Sequence, residues 1–334
     1  MKNIYISLIL TVIISITYPT ISKASGELVV YSARNEQLIK PIFDEYTKAT
    51  GTSIKFTTDK AGPLLQKLIA EGENSPADIL LTVDAGNLWH AANQNLLEVI
   101  ESDILGKNIP AHLRDINNKW FGMSVRARTI MYNENNISET LTSYEDLASD
   151  KWKGKLCLRT SKKVYNQSLV AMLISDHGIE KTEEIVKGWV NNLATAPFSN
   201  DTKMIQAVAA GQCEVGIANT YYYGRLIKKD PNIPVKIFWP NQENLGVHVN
   251  VSGAAIVKSS KNKKEAIKFI EWLSSKKAQN LFADINMEYP ANPAIKPSDI
   301  VSKWGDFKPN DTNLSKAGEL QIEAVKLMDR AGYK

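Results

Sequence analysis

Tyr221, Tyr222 and Tyr223 stand in a row between Asn219-Thr220 and Gly224-Arg225, directly after the apolar run Val215 to Ala218. The run reads as a buried strand and the residues after it as the start of a helix. Three phenols therefore fall at a strand end, where open α/β sheets commonly place ligands. Phenolate is a hard oxygen donor, and such donors suit a small, highly charged cation such as ferric iron. An ordinary phenol has a pKa of about 10, so it ionises near neutral pH only beside a strong positive charge, which a bound metal supplies. The same residues also read as core or rim tyrosines with satisfied hydroxyls, and by themselves they leave both readings open.

Other chemistries find little support. The chain of 334 residues carries 40 basic and 36 acidic residues, a formal net charge of +4, without the concentrated basic face that nucleic-acid binding requires. His90, His112, His177 and His248 with Cys157 and Cys213 show no zinc-ligand spacing. No GxSxG nucleophile elbow, HExxH metal site or GxxxxGK[ST] phosphate loop is present, so a non-enzymatic protein is expected. Lys2, the apolar stretch Ile4 to Ile16 and the small residues around Ser22-Lys23-Ala24 read as an export signal over 1–24, with a membrane anchor as the other reading. Export places the chain in an oxidising compartment, where the two cysteines permit one disulfide.

The elements that must position the tyrosines follow an α/β rhythm. Strands are expected at Glu27 to Tyr31, Ser53 to Thr57 and Ile79 to Thr82, with helices through Phe43 and Tyr46, after Gly62-Pro63, and from Leu88. Ser124 to Tyr132 alternates small or apolar residues with Arg126 and Arg128, which predicts an extended strand carrying both arginines on one face. Short helices are expected at Tyr144 to Leu147 and from about Gln167, the latter just after Tyr165. Asn200-Asp201 is a helix cap, Gly211 a helix stop, and Gly246 to Val251 with Ala254 to Val257 a second extended crossover. This order predicts a first lobe over 25–124 and 252–334, a second lobe inserted at 125–251, and two crossovers between them that act as a hinge.

The pair Tyr221-Tyr222 after Asn219, together with Tyr31-Ser32-Ala33-Arg34, Ser75-Pro76-Ala77-Asp78-Ile79 and Val125-Arg126-Ala127-Arg128, resembles the ferric-ion-binding proteins of iron ABC transporters, most closely the cyanobacterial periplasmic branch. The resemblance covers nearly the whole chain after the export signal. It implies a type II periplasmic binding protein fold of two α/β lobes, a periplasmic location, a monomer, and delivery of iron to an inner-membrane ABC permease. By motif it makes Tyr221 and Tyr222 iron ligands and Tyr223 a supporting aromatic. Tyr165, in Lys163-Val164-Tyr165-Asn166-Gln167, matches a further tyrosine ligand of the tyrosine-rich branch, and Arg126 matches an arginine that holds a carbonate-like anion or balances tyrosinate charge.

Two departures from the pattern concern the first lobe. Asn35-Glu36 stands where some members carry a histidine, and Val83-Asp84 where some carry a carboxylate. Glu36 is thus either a direct ligand or a first-turn helix residue, with Asn35 and Asp84 in support. Arg34, Arg128 and Arg225 add positive charge, which disfavours Fe(III) more than Fe(II) and leaves ferrous capture conceivable. A disulfide between Cys157 and Cys213 would tie the Tyr165 strand to the strand before Tyr221, with two buried thiols as the alternative. The leading expectation is ferric capture in an interlobe cleft; the rival is a binding protein for an organic cation or a small oxyanion.

Overall fold

A computed structural model of the protein describes residues 26–334, so the expected export signal lies outside the described residues. Nine strands occur among them: β1 (Glu27–Ser32), β2 (Ser53–Thr58), β3 (Ile79–Val83), β4 (Phe121–Asn133), β5 (Leu156–Cys157), β6 (Val215–Asn219), β7 (Val235–Phe238), β8 (Val249–Ile256) and β9 (Tyr289–Pro290). They pair in the order β2-β1-β3-β8-β4-β6-β5, with β7 and β9 also on β4. β1 lies parallel to β2 and β3, β5 parallel to β6, and the middle pairings β3–β8, β8–β4 and β4–β6 are antiparallel.

The arginine-bearing strand is the connector. Phe121 to Ala127 of β4 pairs with β8, and from Arg128 onward the same strand pairs with β6. Apolar and small residues alternate with the two arginines here, yet Phe121 to Met131 is buried throughout. The helices Asp201–Ala209, Thr220–Lys229 and Lys276–Asn286 pack against it, so the pattern of a half-exposed strand does not apply.

Several boundaries differ from the sequence expectation, each for a local reason. The second crossover is one strand, β8, and Gly246 falls outside it at φ +84°, in the left-handed turn that feeds the strand. Tyr144 to Leu147 is not an α-helix but an irregular segment leading into a single 3-10 turn, Asp146–Ala148. Its backbone is claimed by tertiary bonds instead: the Tyr144 carbonyl accepts from Trp189 Nε1 at 2.8 Å, and the Tyr144 hydroxyl donates to the Arg128 carbonyl. The mixed stretch from Leu96 forms only an isolated bridge, Leu97 to Val257, before the helix Asp103–Asn108.

The helix expected near Gln167 starts earlier and runs Val164–His177, so Tyr165 occupies its first turn and not a strand. The helix Asp201–Ala209 opens as expected on Asn200, whose side chain accepts from the Lys203 amide at 2.9 Å. Asn200→Ala should lower stability by about 1 kcal/mol, read as a shift of the urea midpoint at unchanged slope.

Cys157 and Cys213 form a disulfide with Cα atoms 5.9 Å apart, and no free cysteine remains among the described residues. The bridge ties β5 to the turn that enters β6, so it fixes the strand leading to Tyr221. It does not clamp Tyr165, which is carried by the helix beyond β5. Among the described residues no helix is long and apolar enough to cross a membrane.

Candidate metal centre

A cleft of about 920 Å³ opens between the Asn35–Leu38 segment with its neighbours on one side and the Lys162–Tyr165 and Tyr221–Arg225 segments on the other. Tyr165, Tyr221 and Tyr222 all line it. Tyr221 and Tyr222 lie in the first turn of the helix Thr220–Lys229, and their ring centroids are 4.4 Å apart. The Tyr221 and Tyr165 phenols act on each other electrostatically and line the same cleft, so two segments 56 positions apart present phenols to one place.

Arg128 sets this arrangement. Its Nε donates to Asn166 Oδ1 at 2.9 Å, next to Tyr165, and its Nη1 donates to Asn219 Oδ1 at 3.1 Å. Asn219 Nδ2 in turn reaches the Tyr221 hydroxyl at 3.2 Å. The same guanidinium pairs with buried Asp201 at 3.1 Å, and Arg159 pairs with the other oxygen of that carboxylate at 2.5 Å. Such a paired cluster keeps its charge in the interior and fixes side-chain directions, with Arg159 Nε left as a buried donor without a partner among the described residues. Arg128 is thus a positioning residue beneath both tyrosine segments rather than part of the cleft surface.

Arg126, two residues earlier on the same strand face, is buried beside the Tyr165 ring, 5.5 Å from its centroid. Its Nη2 lies 3.9 Å from Asp84 and has no hydrogen-bond partner among the described residues, an orphaned buried donor below the phenols. Asp84 is fully buried and does not face the cleft. It accepts from the Gly86 amide, Ser168 Oγ and Asn250 Nδ2. Burial raises its carboxyl pKa, while Arg126 and these bonds pull it down.

Tyr165 and Tyr221 hold their protons more tightly than an ordinary phenol. Burial pushes the Tyr221 hydroxyl well above the ordinary phenol range, Tyr165 and Tyr222 push the same way, and Arg126 pulls against them. Burial likewise raises Tyr165, again with Arg126 opposing. His248, close to both strand arginines, is held down to about 3 by burial and then by Arg128 and Arg126, so it adds no charge.

Tyr223 is not brought to the cleft. One helical residue on from Tyr222, it faces the core around Met131 and Ile205 and meets Trp304 at 5.9 Å. Asn35 and Glu36 are exposed on the opposite wall, at the start of the helix Glu36–Thr50, and the Asn35 side chain makes no capping bond. Arg34 and Glu288 also line the cleft, paired with each other at 2.9 Å. Arg225 does face the site, 4.9 Å from the Tyr221 ring centroid.

Sequence reading missed Arg159 and Lys163. Arg159 pairs with Asp201 and lies near Tyr222; burial works against its charge and is outweighed by Asp201 and Tyr222. Lys163 lies 4.6 Å over the Tyr165 ring, its pKa lowered by burial and then by Arg159. The only signal was their place, just after β5 and just before Tyr165. Among the described residues no group of three or more His, Cys, Asp and Glu could hold a metal, which leaves phenol oxygens as the clustered hard donors.

The strand that joins the two ends of the mixed sheet thus carries the buried arginines that underlie the polar cleft. The family model for bacterial extracellular solute-binding proteins matches residues 74–307. Iron uptake protein A1 of Synechocystis is 42% identical over 315 residues, covering 92% of this chain and 88% of that protein. Among solved structures, the Trichodesmium protein IdiA (FutA) in complex with iron and citrate superposes with a TM-score of 0.89 at 44% identity, over 92% of this chain and 100% of that one. Apo FutA2 from Synechocystis gives 0.88 at 37% identity, over 93% and 100%. The chain belongs to the periplasmic ferric-ion-binding proteins, in the branch of the cyanobacterial iron-uptake substrate-binding proteins.

Proposed function

We propose that this protein captures Fe(III) in the cleft through the oxygens of Tyr165, Tyr221 and Tyr222 and carries it to an inner-membrane ABC permease. The observation that carries the reading is the convergence of these three phenols from two chain segments on one cleft. Three phenolates nearly match the ferric charge. Fe(II), with less charge, does less to offset the loss of the phenol protons and is the weaker cargo. Arg126 serves as charge balance from below, since its guanidinium lies under Tyr165 and outside the cleft lining.

Arg225 and Lys163 at the cleft surface are the groups for a small oxyanion completing the iron shell, carbonate-like or citrate-like. Glu36, facing from the other wall, is the first-lobe candidate ligand, and Tyr223 has no part in the shell. The lobes are 25–124 with 252–334 and the inserted 125–251, with β4 and β8 as the hinge about which the cleft closes.

The raised hydroxyls make a proton count the direct test. A raised phenol pKa means the proton is on in the apo protein at neutral pH, and phenolate coordination must expel it. Each phenol that binds as phenolate gives up its proton, so coordination by Tyr165, Tyr221 and Tyr222 releases three protons per iron bound. Affinity therefore falls as pH falls, by about tenfold per pH unit for each phenol displaced. A pH-stat titration with a ferric chelate of known protonation reads this number. Loading that releases no protons from the protein would exclude phenolate coordination and favour the rival reading, a small organic oxyanion held by Arg225 and Lys163.

A further inference from the structure

The last two residues of the chain lie against the loop that delivers the second-lobe half of the site. The helix Gln321–Arg330 ends in Ala331, and Gly332 takes φ +75°, a left-handed turn that an L side chain enters only with strain. The Gly332 amide bonds the Asp329 carbonyl and the Tyr333 amide bonds the Met328 carbonyl, both at 2.9 Å. This paired closure of the helix end reverses the chain and turns Tyr333 inward.

Tyr333 is 4% exposed, and its hydroxyl donates to the Arg159 carbonyl at 2.6 Å. One residue on, the Lys334 carbonyl accepts from the Ser161 amide at 3.0 Å. The Arg159 carbonyl also accepts from Asn166 Nδ2 at 2.8 Å, so the tail and the Tyr165 helix grip the same peptide group from two sides. The segment so held, 159–163, carries Arg159 and Lys163, both over the Tyr165 ring, at 5.8 and 4.6 Å from its centroid.

Packing alone does not require this hydroxyl. A phenylalanine would fill the same space, and a buried phenol is retained at a desolvation cost unless its bond does something. We infer that Tyr333 and Lys334 form a C-terminal strap that sets the 159–163 loop, and through it the rate at which bound iron is released. Tyr333 is a positioning residue that touches neither iron nor a ligand. The inference rests on the tyrosinate reading above.

The test compares the full chain with Tyr333→Phe and with a chain lacking Lys334. Amide hydrogen exchange is followed at Ser161 in apo protein, and ferric release to a competing chelator is followed through the tyrosinate absorption band. Losing one buried hydrogen bond predicts about threefold to tenfold faster release in Tyr333→Phe and faster Ser161 exchange in both variants, with the thermal midpoint changed little. A general structural defect would instead lower the midpoint and speed exchange across the helix Val164–His177. That pattern, or unchanged iron release in variants that bind iron normally, overturns the strap. A parent protein with no band overturns the tyrosinate reading, and the strap's role in iron release falls with it.

Discussion

Tyr221→Phe and Tyr222→Phe should each lose more than about 100-fold in ferric affinity while folding as stably as the parent. Even residues that only orient a metal ligand cost about 10- to 100-fold when removed, so loss of a ligand oxygen must exceed that. The buried Tyr221 hydroxyl meets Asn219 Nδ2; phenylalanine keeps the tilted ring contact with residue 222. Tyr223→Phe is the matched control, because its ring packs beside Trp304 and away from the cleft. Competition with a ferric chelator, paired with urea unfolding, separates the two effects. A Tyr223→Phe loss as large as the other two would contradict the placement.

The paired change Cys157→Ser and Cys213→Ser should cost roughly 4 kcal/mol of stability, because the bridge closes a segment with a sequence separation of 56. Both sulfurs sit in the core beside Met204 and Ile205, so the serines add the cost of buried hydroxyls. Iron affinity in the folded variant should stay within about threefold of the parent. The helix bearing Tyr165 is held by Arg128 and Asn166, and Asn219 holds Tyr221, all independently of the bridge. Urea midpoints with and without the bridge measure the first effect. A variant as stable as the parent would mean the disulfide constrains little in the unfolded chain.

The strand assignments were legible because short apolar runs bounded by turn residues, such as Ile79 to Thr82 and Val215 to Ala218, are buried on both faces of the sheet. The tyrosine pair was legible because adjacent phenols at a strand end are chemically unusual. What local pattern did not reveal is set by long-range contact. Tyr144 is drawn out of a helix by bonds to Trp189 and to the Arg128 carbonyl, 45 and 16 positions away. Tyr223 has the same chemistry as its neighbours, and only the rotation of the helix sends it to the core. Arg126 and Arg128 share a strand face as read, yet their partners, Asp84 and Asp201, come from segments no spacing connects to them. Arg159 and Tyr333 gained meaning only once the chain was folded, since each acts through a residue distant in sequence.

The most direct measurement is the visible absorption spectrum of metal-stripped protein during ferric titration. Phenolate coordination predicts a charge-transfer band that grows to saturation at one iron per chain and is weakened or shifted in Tyr165→Phe, Tyr221→Phe and Tyr222→Phe. Saturable iron binding without that band, unchanged in the three variants, would contradict the tyrosinate site and turn attention to Glu36 and the cations of the cleft.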